Sequence, residues 1–386
     1  MTDLQRHQYL LGTSRKELDG ELTILSGEIP EGLTGAFFAM YQAGSVNSDG
    51  LPFPEHNEDG SKNREYGSPI MNGDGMCVAV YFEGPKARVK TRLMKTPCYY
   101  ADEASKVGSK HHALFGFKNF GITRMSLALG SRNLLNTAPI PVKFKYQNHP
   151  GLMMTYDVGR PFSVNPKSLN LISPLGKNKE WLNAQPAMVP WPFGVVQTTA
   201  HPMFDPSKGE FFTVNYIRES SSNVLHEQTL KHITASKTTF REKLERLAKE
   251  LFNHDNMEHV KEKVEHFFNN LEVELTGKGS KTNPVSGESE VYLWRWDGEN
   301  TPMKWLIQDE EGNPLIIKEC MHQTGMTEHY IVLTDCSFKF SIDLLMNNPF
   351  PENDNIDRFM RWLLSYPMVP STTTYLVRRS DLRSDT

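Results

Sequence analysis

The sequence predicts an all-β protein assembled from many short antiparallel strands, with a propeller as the favoured architecture. From about residue 20 to about residue 215, short apolar or alternating runs are separated by Gly, Pro, Asn or Asp, the punctuation of paired strands. Helical periodicity is almost absent from the same stretch. Length is the third observation. A chain of 386 residues exceeds the roughly 100–200 residues usual for one domain unless the architecture is a large β one. With so many strands, barrel closure or radial blades manage the exposed edges best.

The elements follow in order. ELTILSG (21–27), GAFFAMY (35–41), MCVAVYF (76–82), ARVKTRLM (87–94), GLMMTYDV (151–158), NLISPL (170–175) and GEFFTVNYI (209–217) each have strand length and turn-forming flanks. NGDGM (72–76) reads as a hairpin turn whose glycines supply positive φ, and GSKHHALFG (108–116) as a surface loop. The pattern then changes. Phe240, Leu244, Leu247 and Leu251 fall at helical spacing among alternating charges, and Val260, Val264, Phe267, Phe268 and Leu271 mark a second helix after NHDN. The spacing predicts a helical hairpin over 226–275, inserted within the single partial β-domain expected for 1–386. GKGSKTNPVSGESE (277–290) reads as its return loop. Strand rhythm resumes at VYLWRW (291–296) and MKWLIQ (303–308), and continues through PLIIKECMH (314–322), HYIVLTD (329–335) and FKFSI (338–342). A short helix is expected at DRFMRWLLSY (357–366), and a last strand at TTTYLVRR (372–379).

Composition excludes several classes. Lys and Arg number 42 against 46 Asp and Glu, a formal charge of -4 without a long basic block, which argues against nucleic acid as a partner. Cys77, Cys98, Cys320 and Cys336 form no CxxC pair, so buried reduced thiols are expected in place of a zinc ribbon or disulfide framework. The first twenty residues lack the pattern of a secretory signal, and no run of about 18 apolar residues is present, so a cytoplasmic location is expected. There is no GxSxG elbow, no phosphate loop and no strand-to-helix GxGxxG unit. Asp74, Asp102, Glu103 and Asp157 show no spacing that singles out an acid and base pair.

Histidine carries the chemistry that remains, as a metal ligand or proton shuttle. His201 opens HPMFDP, a rigid Pro-flanked turn ahead of the strand at 209–217. His322 closes 314–322 and precedes QTGMTEHYIVLTD. Both lie at strand ends, where propeller loops approach the axis. His259, Glu262 and His266 share one face of the second predicted helix, but their spacing differs from HExxH and a solvated charged face is the better reading. His111 and His112 are adjacent, and neighbours in an extended segment face opposite ways.

Taken together and in order, several segments resemble the carotenoid cleavage oxygenase family, which includes apocarotenoid- and stilbene-cleaving dioxygenases and the retinoid isomerase of the eye. IPEGLTGAFFAMYQAGS is similar to the family's opening "IP..L.G.lyR.GP", and NGDGMCVAVYFEG with RLMKT to its "fDGDGM" strand and continuation. NTAPIP resembles the "ANT" segment, and LMMTYDVGRPFSVNPKSLNLISPLG the stretch "laL.Eg..Py.ldp.tLeT.G". AHPMFDPSKGEFFTVNY resembles the first iron-ligand segment and MHQTGMTEHYIVLTD the second. The likeness covers about 20–217 and 291–380. Departures include Tyr41, Gln42 and Ala43 in the opening segment, Asn72 and Gln323 in place of aspartates, and Asp157 where the family carries glutamate.

The resemblance implies a seven-bladed β-propeller that holds Fe(II) on its axis through four histidines, of which His201 and His322 carry over as two. Asp157 then stands as the carboxylate that hydrogen-bonds a ligating histidine. The remaining two ligands come from the family's downstream half, and no histidine follows His329 here, so the sequence reads as an incomplete propeller cut short after the second ligand. The implied activity is cleavage of a conjugated C=C bond in a carotenoid, apocarotenoid or stilbene-like substrate with O2. A hydrophobic polyene and O2 are the implied partners. Peripheral membrane contact through the hairpin is a secondary expectation, since basic enrichment is lacking. The alternative is a non-catalytic partial propeller, a remnant or a ligand- or partner-binding homologue.

Overall fold

The computed structural model describes residues 13–51, 53–63, 65–66, 72–120, 123–184, 191–218, 289–337 and 370–383. The helical hairpin expected over 226–275, the strand at 338–342 and the short helix at 357–366 lie outside the described residues, as do His259, Glu262 and His266.

The all-β class is what the chain adopts: the described strands form five antiparallel sheets, in which neighbours in sequence pair except where β1 joins the first. In the first, β2 (Thr34–Gln42), β3 (Gly75–Glu83) and β4 (Lys86–Leu93) pair in order, and β1 (Asp19–Glu21) adds outside β4. Two short helices follow, α1 (Pro97–Ala104) and α2 (His112–Phe115), then a small sheet of β5 (Lys118–Phe120), β6 (Thr123–Ser126) and β7 (Gly130–Ser131). The third sheet contains β8 (Ala138–Val142), β9 (Gly151–Thr155), β10 (Phe162–Val164) and β11 (Leu171–Pro174). The fourth contains β12 (Met203–Asp205), β13 (Glu210–Ile217), β14 (Glu290–Trp296) and β15 (Met303–Leu306). The fifth contains β16 (Thr324–Met326), β17 (Tyr330–Asp335) and β18 (Thr373–Arg378).

Strands that each close one end of their sheet touch in series, β2 against β8 and β8 against β12, and β12 in turn touches β16. That is the relation of inner strands in neighbouring propeller blades. The apolar cores lie between adjacent sheets. Cys77 and Ala79 of β3 pack with Leu152, Met154, Phe162 and Val164 of the third sheet. Met153, one residue along β9, faces the opposite way, into a core with Trp181, Phe211 and Trp294. On β13, Phe212, Val214 and Tyr216 turn toward Ile331 and Leu333 of β17. Period-two alternation thus gives the middle strands a core on both faces. Trp181 and Trp294 stack at 4.3 Å between ring centroids across one of these cores.

Several predicted elements differ. ELTILSG is not a strand beyond Glu21, because its partner β4 runs out: Leu22 still donates to the Ala87 carbonyl, and the hairpin at Gly84 then takes the chain away. PLIIKECMH holds only isolated bridges, at Pro314 and Cys320, although Leu315 and Ile317 are buried. NGDGM is not a positive-φ turn. Gly73 and Gly75 allow close backbone approach instead, since a Cβ at Gly75 would lie 2.1 Å from the Leu135 carbonyl oxygen. The predicted loop at 108–116 contains α2. Among the described residues no helix is long and apolar enough to cross a membrane.

One buried ion cluster joins the first sheet, α1 and the small sheet. Asp102 of α1 accepts from Arg124 at 2.7 and 2.9 Å and also pairs with Arg132, which pairs in turn with Asp74; Asp74 accepts from Arg15 at 2.9 Å. Burial pushes the Asp102 carboxyl up, but the Arg124 and Arg132 guanidiniums outweigh it and hold the group below its ordinary value. Asp102→Ala removes the carboxylate that two buried guanidiniums share, leaving Arg132 with Asp74 and Arg124 with Glu65, and is expected to cost about 3–5 kcal/mol in urea unfolding. Removing Arg88 from its exposed pair with Asp19 should cost less than about 1 kcal/mol. Because the folded value is depressed, the Asp102 contribution is full above the ordinary carboxylate value of about 3.9 and is lost as pH falls below it.

Candidate metal centre

Residues 197–201, QTTAH, run as extended chain between the third sheet and the strand β12, and their hydrogen bonds fix both histidines. Thr198 and Thr199 face opposite ways, as neighbours in extended chain do. The Thr198 amide donates to the Asp157 carbonyl at 2.8 Å, and its hydroxyl donates to the Tyr156 carbonyl at 2.7 Å. The Thr199 hydroxyl donates to the His322 carbonyl at 2.8 Å. A reciprocal bond returns from the other strand, the Thr324 hydroxyl donating to the His201 carbonyl at 2.7 Å. The His201 amide lies 3.3 Å from the His322 carbonyl, and His201 forms a parallel bridge with Gln323. His201 and His322 therefore precede β12 and β16 at equivalent places, two residues before each strand.

The two imidazoles meet edge to face with ring centroids 4.9 Å apart. Asp157, in the loop after β9, reaches His322 despite its short side chain: Nδ1 lies 2.8 Å from Oδ1. With Nδ1–H donated to the carboxylate, the tautomer leaves the Nε2 lone pair of His322 as the available donor. Their electrostatics differ accordingly. The Asp157 hydrogen bond holds His322 above the ordinary histidine value against the opposing effect of burial. Burial, then the charge of the neighbouring His322, hold His201 below it.

The sequence-level candidates His201, His322 and Asp157 thus come together, from positions spread over 165 residues of chain. Among the described residues no group of three or more His, Cys, Asp and Glu side chains is arranged to hold a metal ion. The donors that are present suit a borderline divalent metal: two imidazole nitrogens, one of them oriented and made more basic by a carboxylate. His111 and His112 lie elsewhere, with His112 Nδ1 against the Ser105 carbonyl at 2.9 Å.

Sequence reasoning missed Thr199 and Thr324, whose partners lie 123 residues away in the chain. The expectation of four buried thiols fails at Cys336, which is partly exposed and sits directly across an antiparallel bridge from Cys320. Hydrogen bonding to Cys320, the His322 amide and the His322 charge bring the Cys336 thiol down to about 6 against its burial.

Antiparallel meanders whose inner strands touch in series have the form of part of a β-propeller. The family model described as retinal pigment epithelial membrane protein matches residues 11–259, and the chain belongs to that family, the carotenoid cleavage oxygenases. Similar solved structures include a single-residue variant of Synechocystis apocarotenoid oxygenase, 14% identical, with 96% of this chain and 55% of that one covered at a TM-score of 0.47. Pseudomonas brassicacearum lignostilbene dioxygenase is 16% identical over 87% of this chain and 47% of its own, with a TM-score of 0.45. Cobalt-substituted Synechocystis apocarotenoid oxygenase is 13% identical over 84% and 47%, with a TM-score of 0.42. The chain spans about half the length of these structures. No curated protein matches the sequence.

In metal-free protein, ring-proton NMR is expected to show His322 titrating above and His201 below the ordinary histidine value of about 6.5. Asp157→Asn should bring His322 down, since it removes the carboxylate that favours the imidazolium. Coincident titrations that do not respond to Asp157→Asn would show that the 2.8 Å contact does not persist in solution.

Proposed function

We propose that His201 and His322 are two nitrogen ligands of a non-haem Fe(II) site, and that the protein to which they belong cleaves a conjugated C=C bond of a hydrophobic polyene or stilbene-like substrate with O2. The observation that carries the reading is the convergence of the two histidines from adjacent inner strands, with Asp157 on the Nδ1 of one of them. Membership of the family supports the reaction class. Bound ferrous iron would supply the activation of O2 in such a site.

The chain's own residues have separable tasks. His201, held below its ordinary value, stays neutral near pH 7 and keeps its ring nitrogen open to a metal without first losing a proton. His322 gives up more basicity to bind but is oriented for it, because its Nδ1–H is fixed on Asp157. Thr199 and Thr324 hold the two backbones against one another, so the distance between the ligands does not depend on side-chain rotamers alone. Substrate recognition by such a protein would be through apolar contact, since a polyene offers few polar groups to bind.

Metal binding tests the reading before turnover does. Co(II) or Fe(II) added to metal-free protein should bind one ion, with His201→Ala and His322→Ala each abolishing retention after desalting. Asp157→Asn should weaken affinity by about 10–100-fold without abolishing it. The Fe(II)-loaded protein, incubated aerobically with apocarotenoids and hydroxystilbenes, is expected to yield paired carbonyl products by chromatography, and the histidine variants none. Metal binding unchanged in both histidine variants would overturn the assignment of the ligands.

A further inference from the structure

A thiol pair stands behind His322 that the reading above does not use. Cys320 lies two residues before His322, and Cys336 follows β17, which ends at Asp335. The two face one another across an isolated antiparallel bridge, in which the Cys336 amide donates to the Cys320 carbonyl at 2.9 Å. Directly opposed residues of an antiparallel pair have Cα atoms about 4.5–5.5 Å apart and share a face. A disulfide needs Cα atoms about 4.4–6.8 Å apart, so the pairing already sets the distance that the covalent bond requires. The Cys336 Sγ lies 3.0 Å from the Cys320 carbonyl oxygen, so the more accessible sulfur already rests against its partner residue.

The two thiols are unequal in access. Cys336 is partly exposed, whereas Cys320 is 3% exposed and is held by the Tyr216 hydroxyl at 3.5 Å. Cys77 and Cys98, the other two cysteines, are buried, with the Cys98 Sγ against Thr96 Oγ1 at 3.1 Å. One thiol is thus open to a dissolved oxidant, and its partner is positioned to resolve the product out of contact with solvent.

We propose that Cys320 and Cys336 are a redox-active pair that a peroxide converts to a reversible disulfide beside His322. The Cys336 sulfur attacks the peroxide O–O bond to give a sulfenic acid and one water. The Cys320 thiol then attacks the Cys336 sulfur, its proton leaves with the sulfenic oxygen as a second water, and the S–S bond forms. Hydrogen peroxide is thereby reduced to two waters and two thiols are oxidised; a dithiol reductant reverses the change by exchange. The bond would form across the Cys320–Cys336 bridge, with Cys320 two residues before His322 in the same segment, so the switch lies at the backbone that positions this histidine. The inference does not depend on which metal, if any, His322 binds.

The test uses metal-free protein, so that peroxide does not react with iron. After brief exposure to hydrogen peroxide, free thiols are alkylated and a non-reducing peptide map is read by mass spectrometry. The expected product is a Cys320–Cys336 linked peptide, lighter than its two components by two hydrogens and absent after dithiothreitol. Cys336→Ser should leave Cys320 as an alkylatable thiol, and Cys320→Ala should let Cys336 proceed to sulfinic acid because no resolving thiol remains. A wild-type protein in which Cys336 reaches sulfinic acid while Cys320 stays a free thiol would overturn the proposal. So would a map in which the linked peptides join Cys336 to Cys77, to Cys98 or to a second molecule.

Discussion

Everything at the histidine centre depends on how four consecutive residues, 198–201, satisfy their backbone groups. A chain that crosses between sheets leaves the ladder of one before joining the next, and each buried amide and carbonyl it exposes there costs free energy unless paired. The sequence solves this with threonines. Thr198 serves the loop that carries Asp157, Thr199 serves the carbonyl of His322, and Thr155 of β9 donates to the Ala200 carbonyl at 2.5 Å. Three segments from distant parts of the chain are therefore tied through one short run of backbone. The imidazoles inherit their separation from those bonds.

Such a clasp holds only if the strands that enter it are themselves fixed, and their positions come from the cores between sheets. β9, β13 and β14 bury side chains on both faces, so each sheet is registered against two neighbours, and a one-residue slip would turn every core residue to the wrong side. The two halves of the described structure achieve this differently. Around β13 and β14 the contacts are aromatic, with Trp181 stacked on Trp294 and Phe144 edge-on to Phe204 at 5.5 Å. Around the small sheet of β5 to β7 the equivalent place is taken by Arg124, Arg132 and Asp102, all fully or almost fully buried. Charges in that position lose hydration, and their mutual pairing recovers it only while every partner is present. The ionic region is thus less tolerant of loss than the aromatic one, although both do the same architectural work.

Which parts were legible in the sequence follows from the same physics. Long strands with a core on both faces, such as β3, β13 and β14, announce themselves by dense β-branched and aromatic residues between turn signals. β5, β7, β10, β12 and β16 have two or three residues each and carry no periodicity to read, while β8 contains Pro139 and Pro141, which argue against a strand until its place beside β9 is known. The segment 314–322 was misleading for a physical reason. Leu315 and Ile317 are buried like alternate residues of a strand, but they fill the core beneath β17 without a ladder of their own. His201 and His322 stood out by their places at strand ends, but a lone strand-end histidine is usually only packed or solvated, and their role as ligands, like that of Asp157, was legible through likeness to the family. Thr199 and Thr324 were not, since a hydroxyl that caps a carbonyl 123 residues away leaves no local signature.

The two histidines are chemically unequal, and the inequality has a structural origin. Two imidazoles 4.9 Å apart disfavour simultaneous protonation, so whichever has a carboxylate partner takes the proton and the other is pushed toward neutrality. Asp157 makes that choice by bonding to His322, and the Thr198 amide bond to the Asp157 carbonyl fixes the backbone from which the carboxylate reaches. The same run of residues therefore sets both the spacing of the pair and the division of charge within it. A longer carboxylate at position 157 would not need its backbone so near, and a shorter one needs this anchoring. The aspartate and the Thr198 contact are best understood as one device, in which backbone position replaces side-chain reach.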